Sequence, residues 1–139
     1  MNSIAARRLE NSTFYLDESI YSHVLAKRIR ASGSSAQHPG GAFPFGTQDS
    51  DWLAECGKKG WIVLMRDKRV RRRSLERAAP VRARVGAFVL IAGQATASQT
   101  ADTIERLLPK FANIFVSEPR PLLYTFGLRG SLRRLPIKV

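Results

Sequence analysis

The chain has little cysteine and little histidine, and each scarcity removes a class of site. Its one cysteine, Cys56, permits neither an intramolecular disulfide nor a cysteine metal site, so we expect a protein of a reducing, cytoplasmic compartment. The two histidines, His23 and His38, lack the spacing of metal ligands, which favours structural or exposed positions. No apolar stretch approaches the length of a membrane span or of a secretory signal, so no membrane association is expected.

Acidic residues are also scarce relative to basic ones. Lysine and arginine total 23 against 11 aspartates and glutamates, which gives a net charge of +12. This balance favours phosphate-rich partners, although excess arginine could instead serve solubility alone. The 139 residues, 44% of them hydrophobic, suffice for one compact domain, and we expect a single domain over residues 1–139 with its core at about 13–126.

Short apolar runs alternate with helical patterns along the chain. Continuous apolar runs predict buried strands at residues 14–16, 61–65 and 85–91. Helical periodicity predicts helices over residues 21–29, from 49 to 57 or 60, and over 98–115, while residues 68–77 form a basic helix or loop. Residues 122–126 and 132–135 predict a short edge hairpin. This alternation is typical of an α/β sandwich.

Four local details of this prediction depend on particular residues. Tyr21 and Val24 share a helical face with the apolar residues of the first helix, and Cys56 shares one with Trp52 in the second. Pro109 is expected to kink or split the last helix. Residues 32–47 contain so much glycine, proline and serine that we expect no regular structure there.

Acidic residues stand beside the predicted strands, where the basic composition makes them conspicuous. Asp17 and Glu18 follow the first strand, Asp67 follows the second after one arginine, and Asp49 and Asp51 open the helix between them. The carboxyl ends of parallel strands meet at one edge of a sheet, so these side chains are expected to converge. Carboxylate oxygens suit Mg²⁺ or Mn²⁺, which lowers the pKa of a bound water and neutralises charge on a phosphoryl group. The pattern therefore predicts a metal-dependent nuclease.

Each acid also has a simpler interpretation. Asp17 could cap the helix that follows it, and Asp49 could do the same for its own helix. Asp67 stands between two basic residues and could form a surface ion pair. Glu18 and Asp51 could face solvent or bind the metal through water, so we expect at most a secondary role for them.

The densest positive charge of the chain surrounds Asp67. Its members are Arg66, Lys68, Arg69, Arg71, Arg72, Arg73 and Arg77. Beside a metal site they would hold a nucleic-acid backbone in a salt-dependent manner, although such a run is often a solvated helix face. A phosphate loop is disfavoured, because no Gly-Lys-Ser/Thr follows the glycines of residues 40–46.

The order of these motifs resembles the PIN-like domains of VapC-type toxins and their Mut7-C-like relatives. The resemblance covers roughly residues 13–126, and the segments that carry it are Leu16-Asp17-Glu18, Asp49-Ser50-Asp51-Trp52-Leu53 and the run 61–70. The later strand at residues 87–90 and the helix at residues 100–115 also match its layout. It implies a Rossmann-like three-layer α/β/α sandwich with a mainly parallel central sheet. It also implies a Mg²⁺- or Mn²⁺-dependent endoribonuclease that acts on RNA, pairs with an acidic antitoxin and often forms a homodimer. By this likeness Asp17, Asp49 and Asp67 would be the catalytic, metal-binding acids.

The sequence departs from the family pattern at one place. The larger family usually has a fourth acid after a later strand, whereas the run 85–91 is followed here by Ala92-Gly93-Gln94-Ala95-Thr96. Either Glu18 or Asp51 compensates, or metal binding is weak. The competing hypothesis is a non-catalytic basic α/β module that binds nucleic acid, in which the acids serve as caps and ion pairs.

Overall fold

The computed structural model describes residues 3–38, 40–41, 49–66, 74–92 and 94–136, and of residues 3, 5, 6, 49, 50 and 74–78 it describes the backbone alone. The strands are β1 (Thr13–Leu16), β2 (Ser35–Gln37), β3 (Ile62–Arg66), β4 (Gly86–Leu90), β5 (Leu122–Phe126) and β6 (Leu132–Arg134). The helices are α1 (Ser3–Glu10), α2 (His23–Ala31), α3 (Asp49–Lys59), α4 (Ser74–Ala83) and α5 (Ala97–Ser117).

Within the described residues the strands form one six-stranded sheet in the order β2-β1-β3-β4-β5-β6. Neighbouring strands from β2 to β5 pair in parallel, and β6 pairs antiparallel with β5 at the edge. β5 and β6 thus form the antiparallel edge pair that the sequence predicts. No helix of the described ranges is both long enough and apolar enough to cross a membrane.

Alternating side chains of the strands build a separate core on each face of the sheet. Phe14 and Leu16 point toward one face and pack in a cluster with residues of α1, α2 and α5. Tyr15 and Val63 point to the other face and pack against residues of α3 and α4. The period of two along a strand therefore produces three layers. The predicted α/β/α sandwich with a mainly parallel sheet is confirmed.

Helices α3 and α4 approach each other closely at Gly57. A Cβ atom built on Gly57 would lie 2.0 Å from the carbonyl oxygen of Ala83, the last residue of α4. Only a residue without a side chain leaves room for that carbonyl, so this glycine sets the distance between the two helices.

Two elements were not expected from the sequence. The segment 32–47 was predicted to lack regular structure, but β2 lies within it and pairs with β1. Ala36 at its centre is 5% exposed, so the strand is stabilised by pairing and by one buried residue rather than by its own apolar pattern. Helix α1 also lacks an apolar pattern that would predict it. Among its described side chains, Leu9 is the one that lies in the buried core.

The prediction for the face of the first helix was partly wrong. Ser22 caps α2, and the helix begins at His23, so Tyr21 precedes it. The buried residues of the helix are Leu25, Ala26 and Ile29, whereas Tyr21 and Val24 remain 37% and 44% exposed. The periodic pattern places the start of the helix two residues too early, and both side chains are exposed.

Helix α5 runs through Pro109 as one continuous element and is not split. A proline inside a helix removes one backbone hydrogen bond at a cost of about 3 kcal/mol. Its neighbours Leu108 and Phe111 are fully buried against the sheet, and their packing offsets that cost. The predicted core position of Cys56 is confirmed, since this residue is 0% exposed and lies in the cluster with Trp52.

Candidate active site

The strand order creates a crevice at the carboxyl ends of β1 and β3. The chain leaves β1 through α2, which packs on one face, and enters β3 from α3, which packs on the other. At such a switch point the connections diverge, and ligands of open α/β sheets bind in the gap between them. The residues that follow β1 and β3 therefore occupy the position where chemistry is most expected in this topology.

Asp17 directly follows β1 and is firmly held at this crevice. Its backbone N–H donates to the carbonyl of Leu64 in β3 at 3.0 Å, and its carbonyl accepts from Ile20 and Tyr21 at 3.0 and 2.9 Å. Its half-buried carboxylate accepts a bond at Oδ2 from the backbone N–H of Ser19 at 3.1 Å and another from the Ser19 hydroxyl. Within the described chain these bonds fix Oδ2 and leave Oδ1 without a hydrogen bond.

The capping interpretation of Asp17 is excluded by the position of the helix. Ser22 is the N-cap of α2, and its side chain accepts from the N–H of Leu25 at 3.0 Å. Asp17 lies five residues earlier in the chain and closes a local turn with Ser19 instead.

Ser19 joins the turn after β1 to the end of β3. Its hydroxyl oxygen accepts a bond from the backbone N–H of Arg66 at 3.0 Å while its hydrogen goes to Asp17. One hydroxyl therefore connects the carboxylate after β1 with the last residue of β3. Hydrogen bonds of this kind orient carboxylates that bind metals.

The side chain of Arg66, predicted to contact nucleic acid, reaches across to the segment between β4 and α5. Its guanidinium donates from Nη1 to the carbonyls of Ala92 and Ala95 at 3.2 and 3.3 Å, and from Nη2 to the hydroxyl of Thr100 at 3.1 Å. These bonds give Arg66 a positioning role at the carboxyl edge. Its contact with nucleic acid stays a prediction.

The segment after β4 lacks the fourth acid that the resemblance would place there. Of its described residues, Gln94 is exposed and Thr96 caps α5 in a capping box with Gln99. Two of its carbonyls accept bonds from Arg66, so the loop is held by a cation. Glu18 and Asp51 are both exposed, which leaves their secondary role a prediction.

Several predicted site residues fall outside what the structure describes. Asp49 is the first residue of α3, and its side chain is not described. Outside the described residues altogether lie Asp67, Lys68, Arg69, Arg71, Arg72 and Arg73, and the side chain of Arg77 is likewise outside. Across the described residues no group of three His, Cys, Asp or Glu side chains could hold a metal ion. The convergence of Asp17, Asp49 and Asp67 thus stays a prediction.

Sequence reasoning overlooked two features of this edge. No role was predicted for Ser19, although a serine two residues after an aspartate is a signal for a local turn. The pair formed by Tyr21 and His38 was also missed, with ring centroids 4.6 Å apart and planes inclined by 31°. The helical pattern predicts a shared apolar face for Tyr21, and the lack of metal-ligand spacing predicts a structural or exposed position for His38, so neither pattern could pair them.

A comparison with known families gives this edge its context. Residues 12–92 match the model of a family described as "PIN like domain". No curated protein and no solved structure matches the chain significantly. The matched range begins one residue before β1 and ends two residues after β4, so it contains the crevice and every predicted metal-binding acid. PIN-like domains are typically nucleases, which supports an enzyme. Because the match spans more than half of its length, this chain belongs to the PIN-like domain family.

Proposed function

We propose that this protein is a Mg²⁺- or Mn²⁺-dependent ribonuclease that hydrolyses RNA phosphodiester bonds. The observation that carries the proposal is the position of Asp17, held by Ser19 at the switch point between β1 and β3. Asp67 follows the last residue of β3 in sequence, and α3 begins at Asp49 on the connection that enters β3. Together with Asp17, these acids from three connections would form the hard oxygen set that such ions take.

Asp17 is suited to be one ligand of such an ion. Asp17 presents one carboxylate oxygen fixed by hydrogen bonds and a second that accepts none within the described chain. A bound ion would supply an acidic water and neutralise charge that develops on the phosphoryl oxygens. Asp17 and its partner acids would orient that water, and Arg66 with the basic residues that follow it would hold the RNA backbone near them.

The test is cleavage of a mixed RNA substrate by the purified protein with Mg²⁺ or Mn²⁺. We expect cleavage to stop in EDTA and to fall at least about 100-fold in an Asp17→Asn/Asp67→Asn double variant, because metal ligands are lost. Glu10→Gln is the matched control, since Glu10 is an exposed acid at the end of α1, just before β1 and away from its carboxyl end. Cleavage that survives EDTA, or that persists in the double variant, would contradict the proposal.

The competing function is a non-catalytic module that binds nucleic acid. The net charge of +12 supports RNA binding equally under both hypotheses. Retained RNA binding by folded protein without metal-dependent cleavage would favour the module. The two outcomes exclude each other, so one preparation assayed for binding and cleavage decides between them.

We further propose that the chain is the toxin of a type II toxin–antitoxin pair, as its resemblance to VapC-type toxins implies. Its positive charge would attract an acidic antitoxin, and the active form would be a homodimer. Induced expression should arrest growth, and Asp17→Asn should relieve the arrest. Unchanged growth on expression of folded, RNA-cleaving protein would refute the toxin assignment and leave the nuclease assignment intact.

A further inference from the structure

We infer that Tyr21 and His38 form a platform on which an unpaired base of the RNA substrate stacks. The inference rests on the proposed ribonuclease function and narrows its substrate to single-stranded RNA. Three observations carry it: the place of the pair beside Asp17, the exposure of Tyr21, and the geometry of the two rings.

The pair lies on the side of Asp17 opposite to β3. His38 directly follows β2, and the pairing of Tyr15 with Gln37 places His38 level with Leu16, one residue before Asp17. The backbone N–H of Tyr21 donates to the carbonyl of Asp17 at 2.9 Å. Both rings therefore belong to the loops that flank the proposed cleavage point. A single strand that crosses Asp17 from the side of β3 would reach these rings.

Tyr21 is too exposed to be explained by core packing alone. The residue keeps 37% of its surface accessible although its ring already packs on His38 at 4.6 Å. Gly41 makes room beside the other ring, because a Cβ atom there would lie 3.2 Å from two atoms of the His38 imidazole. The arrangement supports an aromatic ring while leaving it accessible.

Stacked aromatic rings select unpaired bases. Every nucleobase has a flat face, and protein aromatics that stack on it bind single strands with little sequence preference. A base inside a duplex is already stacked on both sides and cannot be offered to Tyr21 without unpairing. The stacking contact also releases no counterions, so its share of the affinity should not vary with salt.

The test measures binding of labelled single-stranded RNA and of the same sequence as a duplex, in EDTA so that the RNA stays intact. We expect Tyr21→Ala to weaken single-strand binding about 10-fold, and Tyr21→Phe to bind within about twofold of the parent. Tyr21→Leu keeps apolar bulk without a ring and should behave like Tyr21→Ala. Val24→Ala removes a neighbouring exposed apolar side chain and is the matched control, expected to bind like the parent.

Further readouts separate stacking from a structural role. Duplex affinity and the salt dependence of single-strand binding should not change in Tyr21→Ala, and all variants should remain folded at the assay temperature. An equal loss for duplex and single strand, or equal losses in Tyr21→Phe and Tyr21→Ala, would overturn the inference. So would unaltered single-strand binding by folded Tyr21→Ala. Cleavage by a Tyr21→Ala variant with parental single-strand affinity would refute the platform alone, whereas ring-dependent binding without cleavage would refute the nuclease alone.

Discussion

Gly57→Ala tests the close approach of α3 and α4, because two physical effects predict opposite signs. Alanine is favoured over glycine inside a helix by about 1 kcal/mol, so propensity alone would stabilise the variant. The new Cβ would lie 2.0 Å from the carbonyl oxygen of Ala83. Reaching an ordinary carbon–oxygen distance of about 3.3 Å would require the helices to separate by about 1.3 Å.

The clash involves backbone atoms, which cannot rotate away as a side chain would. Overpacking of this kind costs about 1–3 kcal/mol or more, and we expect a net loss near 2 kcal/mol after the gain in propensity. For a chain of this size the melting temperature should fall by roughly 6–10 °C. Thermal unfolding followed by circular dichroism measures it.

The control is Ala54→Gly, which lies one turn earlier in the same helix and is half-buried. It should lose about 1 kcal/mol through propensity and so calibrates that effect in this helix. A Gly57→Ala protein as stable as the parent, or more stable, would refute the argument that the glycine sets the spacing of α3 and α4.

Two further predictions concern single side chains. Ser19→Ala removes the hydroxyl that joins Asp17 to the N–H of Arg66, so the metal-dependent cleavage rate should fall about 10- to 100-fold. Ser32→Ala, which deletes a serine hydroxyl at the opposite end of α2, should cleave normally, and equal rates in both variants would refute the positioning role. Burial raises the pKa of the Cys56 thiol from 9.0 to about 12, so the unfolded chain ionises first and the free energy of unfolding should decline between about pH 9 and 12. Iodoacetamide labelling at pH 9 should therefore require unfolding, and rapid labelling of the folded protein would contradict the buried position.

The layers of the fold could be predicted because strands buried on both faces have a clear sequence signal. The runs that became β3 and β4 are continuous and apolar, and the sheet covers both of their faces. β2 could not be predicted in this way, since its three residues read Ser-Ala-Gln and owe their extended form to β1. A strand that is specified by its neighbour leaves no local signal.

In the candidate site, the position of Asp17 could be predicted from the sequence, but the hydrogen bonds that hold it could not. Asp17 could be found because an acid after a buried strand is unusual, and the strand order then placed it at the switch point. The link from Ser19 to Arg66 spans 47 positions of sequence and depends on parallel pairing of β1 with β3. Hydrogen bonds of that range follow from topology, and no spacing rule could reveal them.

The two margins of the sheet bear on how copies of this chain could associate. The outermost strands, β2 and β6, are three residues long, and β6 carries exposed Arg133 and Arg134. A short margin offers few unpaired amides to a second chain, and like charges brought face to face across β6 would repel. A homodimer is therefore better built through the helical layers than by joining two sheets into one.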